Sequence, residues 1–124
     1  MSETLDILTI KKLLREFSHE RDWDKFHHPK NLAMALAGEA GELLEIFQWL
    51  TPEEACAVKS DSDLKQDVAF ELADILLYAI RLADQLEIDL PEALSSKMRL
   101  NAEKYPASEV QGSSRKYHHY KAEK

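Results

Sequence analysis

The sequence predicts an all-α fold, a bundle of four main helices plus a short connecting helix. Apolar residues recur every three or four positions along nearly the whole chain, which is the period of an amphipathic helix. The 124 residues include only 3 Gly and 4 Pro, too few for a turn-rich all-β domain. We find no repeat and no segment with the pattern of a strand.

The first part of the chain contains two predicted helices and a connector. The first helix runs to about His19, and its apolar stripe comprises Leu5, Leu8, Leu13, Leu14 and Phe17. The polar and aromatic segment RDWDKFHHPKN follows it as a connector. Pro29 fits the opening turn of a second helix, because no backbone N–H is needed there, and this helix is predicted to end near Leu50.

Capping residues place the remaining helices. Thr51 and Glu54 have the spacing of a capping box, with a proline between them, so a short helix is expected next. Asp61 can cap the longest and most apolar helix, about residues 62–87, and Asp89 opens a last helix that ends near Lys104. Residues 1–106 are therefore predicted to form the bundle domain, and residues 107–124 a basic, irregular tail.

Composition and charge exclude several classes of function. The net charge of -7 argues against duplex DNA or another polyanion as the main partner. No stretch has the length of a membrane span, and the first ten residues lack the pattern of a signal peptide. The single cysteine, Cys56, permits neither an internal disulfide nor a cysteine metal cluster. We therefore expect a cytoplasmic protein with no membrane or nucleic-acid partner.

The segment GEAGELLEIFQWL places glutamates on the apolar side of the second helix. At about 100° per residue, the stripe around Glu39 includes Leu32, Leu36, Leu43, Ile46 and Leu50. Glu42 lies about 60° from Glu39 and inside the same stripe, whereas Glu45 lies about 120° away. We expect Glu39 and Glu42 to point inward and Glu45 to be solvated.

The long helix repeats the pattern with Glu71 and Asp74. Glu71 shares a stripe with Leu64, Val68, Ile75 and Leu82. The rest of its circumference is apolar as well, at Phe70, Leu72, Leu76, Leu77 and Ile80. A helix that is apolar all round must be buried on all sides, which a small bundle achieves with another subunit. The sequence thus predicts a homo-oligomer with this helix near an interface.

The negative charge of two inward-facing carboxylate pairs must be compensated. An ionised carboxylate in a dry core must be paired, protonated or bound to metal, and Arg81 is the only obvious cation nearby. Four hard oxygen ligands without nitrogen or sulfur select Mg²⁺ or Mn²⁺. The alternative is a salt-bridged or polar bundle core. A di-iron bundle is disfavoured, because neither pair ends in His and all five histidines lie outside the two acidic helices.

The ordered motifs resemble those of a known family. GEAGELLEIFQW followed by ELADILLY is similar to the signature of the MazG-like all-α nucleoside triphosphate pyrophosphohydrolases, E-x-x-E and then E-x-x-D. The segments ERDWDKFHHPKNL, LPEALSSKMRLNAEKYP and GSSRKY further resemble the dCTP pyrophosphatase branch. The resemblance covers about residues 13–117.

This resemblance implies a reaction and a set of site residues. The reaction is Mg²⁺-dependent hydrolysis of a (deoxy)nucleoside triphosphate, dCTP or a modified dCTP, to the monophosphate and pyrophosphate, a step in nucleotide-pool housekeeping. Metal ligands and catalytic residues correspond to Glu39, Glu42, Glu71 and Asp74, and pocket residues to Trp23, Trp49 and Tyr78. The family's oligomers, dimers or tetramers built from dimers, share sites between subunits.

One position departs from the branch, and some candidate residues have an equally plausible alternative role. Leu14 stands where eukaryotic members have a substrate-contacting His, so the preferred base is left open. Candidate phosphate contacts are Lys97, Asn101 and Lys104, which recur at helical spacing, and Arg115, Lys116 and Tyr117 in the tail. Their alternative is a solvated helix face and an irregular tail. Trp23 and Trp49 are alternatively core residues.

The competing hypothesis for function is a non-catalytic oligomeric scaffold with a metal-stabilised or salt-bridged acidic core.

Overall fold

A computed structural model describes residues 4–112 of the chain, and all the regular structure in that range is helical. The chain divides into two compact units at the bond between Ile88 and Asp89. The helices of the first unit are α1 (Ile7–Glu20), α2 (Pro29–Phe47), α3 (Pro52–Ala57) and α4 (Ser62–Gln85). Those of the second are α5 (Leu90–Lys104) and α6 (Ala107–Val110). The all-α prediction is confirmed.

Side-chain caps explain where the helices begin. The carboxylate of Asp6 accepts the backbone N–H of Thr9 at 2.7 Å and opens α1. Thr51 and Glu54 form the predicted capping box of α3, each accepting the other's backbone N–H. Asp61 accepts two N–H groups at the start of α4. These short polar contacts satisfy donors that a helix leaves unpaired, which is why the starts of α3 and α4 could be predicted from the sequence, whereas the cap at Asp6 was not predicted.

The helix ends differ slightly from the prediction. α2 ends at Phe47 rather than near Leu50, and α4 ends at Gln85 rather than Glu87. Glu87 has a φ of 56°, a left-handed conformation that stops a helix. The connector between α1 and α2 includes a 3₁₀ turn at Asp24–Phe26, which the polar pattern did not indicate.

The core of the first unit lies mainly between α2 and α4. Leu32 of α2 is 1% exposed, and Ile80 and Ala83 of α4 are buried as well. The predicted apolar stripes around Glu39 and Glu71 are half-buried. In contrast, Phe70, Leu72, Leu76 and Leu77 on the remaining circumference of α4 are exposed in the single chain. The single chain therefore covers only one side of its most apolar helix.

The second unit begins with a helix capped by Asp89, whose carboxylate accepts the N–H of Glu92. α5 ends at Lys104 as predicted, just before Pro106. The prediction that the chain is irregular from Ala107 onward was wrong for its first residues, because Ala107–Val110 form one helical turn. Pro106 precedes that turn, where an extended residue is compatible with a helix start. The division into residues 1–106 and 107–124 stays a prediction.

Within residues 4–112, none of the helices combines the length and the apolar character needed to cross a membrane.

Truncation of Leu32 tests the core. Leu32→Ala should lower the free energy of unfolding by about 2–5 kcal/mol, because the side chain is fully enclosed and its removal leaves a cavity. Urea unfolding followed by circular dichroism measures the loss. The matched control is Leu8→Ala on the exposed side of α1, which should cost less than about 1 kcal/mol. Equal losses in the two variants would contradict this description of the core.

Candidate metal centre between two helices

Two carboxylates meet at the packed surface between α2 and α4. Glu39 and Glu71 are both half-buried, and the Oε2 atom of each is shielded from solvent without a hydrogen-bond partner among the described residues. The helices run in opposite directions, since Glu39 interacts with Glu71 while Ile46, further along α2, shares a groove with Asp67, which is earlier in α4. That antiparallel packing brings the two predicted acidic motifs together.

Glu42 completes a cluster of three carboxylates. One oxygen each from Glu39, Glu42 and Glu71 can be chosen so that all lie within 4.8 Å of one another. Glu42 itself is exposed, at the edge of the cluster. The fourth predicted residue, Asp74, is also exposed and lies outside this set of three, although its negative charge acts on Glu39. Glu42 and Asp74 were predicted to point inward, but both side chains are exposed to solvent.

The electrostatics of the cluster follow from crowding of like charges. The pKa of Glu39 is raised from 4.5 to about 7, first by a hydrogen bond with Glu71, then by burial and a hydrogen bond with Glu42. The charges of Glu42 and Asp74 raise it further. A hydrogen bond between two carboxyl groups requires a proton on one of them, which is why this contact raises the pKa of Glu39. Without a cation, the cluster retains a proton near neutral pH.

Cations of the first unit do not pair with this cluster. Among the ion pairs formed within residues 4–88, none involves Glu39, Glu42, Glu71 or Asp74. Arg81, the candidate partner from the sequence, instead contacts Asp24 and Asp84. The described residues therefore offer no support for a salt-bridged acidic core.

The donor set fits a hard divalent cation. The cluster consists of carboxylate oxygens, the ligands that Mg²⁺ and Mn²⁺ favour, and two of its buried oxygens have no hydrogen-bond partner within residues 4–112. The described histidines contribute nothing to it: His27 lies against Ser18 and Arg81, and His19 lies near Asp24. Glu39, Glu42 and Glu71 could hold the ion, with Asp74 as a further predicted ligand.

An open groove of about 450 Å³ adjoins the cluster. Its lining residues are Glu42, Glu45, Ile46, Asp67, Phe70 and Glu71. Glu45 is exposed, as predicted, but it shares this groove with two cluster residues. Asp67 was missed by the sequence reasoning, although its position one helical turn before Glu71 was a signal that could have identified it.

The predicted aromatic pocket residues are accessible. Trp49 is 85% exposed and Trp23 is 42% exposed, while Tyr78 on α4 is half-buried. Neither tryptophan is thus a core residue of the single chain, and their role in a substrate pocket stays a prediction. An exposed tryptophan is free to contact a ligand or another subunit.

The predicted phosphate contacts lie outside the first unit. Lys97, Asn101 and Lys104 are on α5 of the second unit and are exposed. Arg115, Lys116 and Tyr117 lie outside the described residues. All six stay predictions.

Comparison with known proteins identifies the family. The model of the MazG-like family matches residues 35–119, which include both acidic motifs. The chain belongs to the MazG-like family. The resemblance in the motifs is thereby confirmed.

Individual relatives are consistent with this membership. The chain is 45% identical to dCTP pyrophosphatase 1 of Homo sapiens over 108 residues, and 43% identical to that of Mus musculus. Each alignment covers 87% of this chain and 64% of the relative, so the chain spans less than two thirds of the curated relatives' length. The crystal structure of a pyrophosphatase from Archaeoglobus fulgidus superposes with a TM-score of 0.70 at 37% identity, covering 86% of this chain and 97% of that one.

The crowded carboxylates predict an unusual dependence of stability on pH. Because the pKa of Glu39 is higher in the fold than its ordinary value, the folded state binds the proton more tightly. In chelator, stability should therefore fall as pH rises from about 4.5 to about 7. Glu39→Gln removes this dependence, so its melting temperature should exceed that of the wild type at pH 8 by more than at pH 5.

Glu53→Gln is the control for this measurement, because it makes the same charge change on exposed α3. Its melting temperature should keep a constant difference from the wild type between pH 5 and pH 8. A Glu39→Gln variant that behaves like Glu53→Gln would show that Glu39 is not crowded by the other carboxylates.

Proposed function

We propose that this protein is a Mg²⁺-dependent nucleoside triphosphate pyrophosphohydrolase. The substrate is a (deoxy)nucleoside triphosphate, with dCTP or a modified dCTP as first candidate, and the products are the monophosphate and pyrophosphate. The observation that carries the proposal is the pair of buried, unpartnered carboxylate oxygens on Glu39 and Glu71. The similarity to dCTP pyrophosphatase 1 of several mammals supports the substrate class.

The cluster can do two chemical tasks. A bound Mg²⁺ neutralises polyphosphate charge and lowers the pKa of a coordinated water. Glu39 and Glu71, whose buried oxygens lack other partners, are the residues suited to hold the ion. Glu42 is more exposed and lines the groove, so it is our candidate for the base that takes a proton from the attacking water.

The reaction then has a simple balance of bonds. The water oxygen forms a new bond to phosphorus as the bridging P–O bond on the opposite side breaks. Glu42 receives one proton of the water, and the charge that develops on pyrophosphate requires cations. Lys97, Lys104, Arg115 and Lys116 are the proposed cations for that role. Trp23, Trp49 and Tyr78 are the proposed wall of the base pocket, where an aromatic ring can stack on a nucleobase.

We further propose that the active form is a homo-oligomer, a dimer or a tetramer built from dimers. The exposed side chains of Phe70, Leu72, Leu76 and Leu77 form an apolar surface on α4, which also carries Glu71. Burial of such a surface against a second copy is favourable, and it would place the subunit contact beside the cluster.

Activity measurements test the proposed reaction. With Mg²⁺, the purified protein should release pyrophosphate from at least one triphosphate in a panel of nucleotides. Glu42→Ala and Asp74→Ala should each lower kcat by about 100-fold or more, because each removes a carboxylate from the site. Glu53→Ala is the control and should keep wild-type turnover.

Three results would contradict the proposal in different ways. Failure of clean wild-type protein to hydrolyse any triphosphate would eliminate the enzyme and leave the scaffold hypothesis. Retained activity in both variants would overturn the assignment of Glu42 and Asp74. Equal activity in Mg²⁺ and in excess chelator would overturn the metal requirement.

The assembly is tested by a charge placed on α4. Wild-type protein should have the mass of a dimer or tetramer in light scattering, and Leu76→Glu should shift it toward the monomer, since a carboxylate is costly in an apolar interface. Gln85→Glu is the matched control, because it adds the same charge at an exposed position of the same helix. A Leu76→Glu protein with the wild-type mass would place the subunit contact elsewhere.

A further inference from the structure

Arg81 is a buried cation on α4 that the carboxylate cluster does not use. It is 5% exposed. Its guanidinium donates to Asp24 Oδ1 at 2.8 Å, to His27 Nδ1 at 3.2 Å and to Asp84 Oδ2 at 3.4 Å. Asp84 also accepts the Nε–H of Arg15 at 2.6 Å, which ties in α1. Two of the three acceptors of Arg81 therefore belong to the connector between α1 and α2.

The contact with His27 defines the state of that ring. A guanidinium can only donate, so Nδ1 of His27 must accept and the proton of the neutral ring must be on Nε2. The hydroxyl of Ser18, which is 1% exposed, lies 3.2 Å from the same Nδ1 atom. Burial and then the charge of Arg81 lower the pKa of His27, while Asp24 opposes them. His27 is thus held as a neutral acceptor between α1 and α4.

Trp23 belongs to the same connector between α1 and α2 as Asp24 and His27, both of which Arg81 contacts. Its ring contacts Phe17 edge to face, with centroids 5.7 Å apart, and lies 6.3 Å from the ring of His27. Its backbone N–H donates to the carbonyl of Ser18 at 2.9 Å. Asp24, the strongest connector partner of Arg81, is the next residue in the chain. Arg81 consequently contacts both the neighbour of Trp23 in sequence and one of the rings against which Trp23 packs.

The helix that carries Arg81 also carries half of the candidate metal centre. Asp74, Tyr78 and Arg81 lie on one face of α4, since seven residues make almost two full turns. At 1.5 Å per residue, Arg81 is about 10 Å along the helix from Asp74. A rigid helix between the two points fixes the placement of the connector relative to the carboxylates.

We propose that Arg81 is a positioning residue that fixes Trp23, through Asp24 and His27, as one wall of the nucleobase pocket. This inference rests on the proposed function for the identity of the ligand. A lysine cannot replace Arg81, because a single ammonium does not present the forked donors that reach Asp24 and His27 together. Loss of the contacts from Arg81 to Asp24 and His27 should make the Trp23 side chain more mobile, while the positions of the carboxylates that perform the chemistry should not change.

Fluorescence tests the placement of Trp23 without any assay of activity. In a Trp49→Phe background, Trp23 is the only tryptophan of the chain. Adding Asp24→Asn or Arg81→Lys should shift its emission to the red and increase its quenching by acrylamide. The control is Asp22→Asn, which makes the same change in the connector at a residue that pairs with Lys25 and has a φ that Asn tolerates. Its emission should be unchanged.

Kinetics test the consequence for the substrate. Asp24→Asn should raise KM roughly tenfold, within the range of couplings between contacting residues, and leave kcat within about twofold. In a Trp23→Ala background, the same substitution should raise KM no further, because the wall that it positions is gone. An equal rise with and without Trp23 would overturn the proposal, as would a loss confined to kcat.

The fluorescence and kinetic experiments distinguish failure of the positioning role of Arg81 from failure of the proposed function. Unchanged emission of Trp23 in both Asp24→Asn and Arg81→Lys overturns the positioning role, whether or not the protein is active. If the wild type hydrolyses no triphosphate, the proposed function fails. The assignment of Trp23 as the wall of a nucleobase pocket then fails as well, even if its emission shifts as expected.

Discussion

The contact between Glu39 and Glu71 is the interaction on which the candidate site depends. Two carboxyl groups from different helices are held together, and each has an oxygen shielded from water without a partner. Such an arrangement is unfavourable when both groups are ionised, because two like charges repel each other and the shielded oxygens are not solvated. It persists because the packing of α2 against α4, with Leu32 and Ile80 enclosed in the core, sets the distance between the helices. The packing of the core thus maintains a site that would favour a divalent cation.

α4 holds charged groups in two opposite ways. Each of the three guanidinium nitrogens of Arg81 donates to an acceptor, and α4 and the connector meet there, with α1 joined through Arg15 and Asp84. Around Glu71, almost three turns toward the start of the helix, one carboxylate oxygen is left without a partner among the described residues. A satisfied buried charge rigidifies its surroundings, whereas an unsatisfied one creates affinity for a ligand. One helix therefore carries both a structural anchor and part of the candidate metal centre.

The exposed apolar side chains are the other unusual property of the chain. Phe70, Leu76 and Trp49 are more than half exposed, although residues of this kind usually lie in a core. Their concentration on α4 and just beyond the end of α2 is close in sequence to the cluster and its groove. Assembly of several copies is the simplest way for such a surface to be covered, since apolar patches of this kind mark protein contacts.

The sequence by itself determined the helices and the identity of the acidic residues. Helical periodicity and capping residues such as Asp61 and Thr51 act locally, so they can be read without tertiary structure. Only the tertiary structure decided which carboxylates touch, because that depends on the direction and depth of packing between α2 and α4. It left Glu39 and Glu71 half-buried and Glu42 and Asp74 exposed, and it added Asp67 to the groove. It also turned Arg81 toward the connector, a choice among distant acceptors that no local pattern encodes.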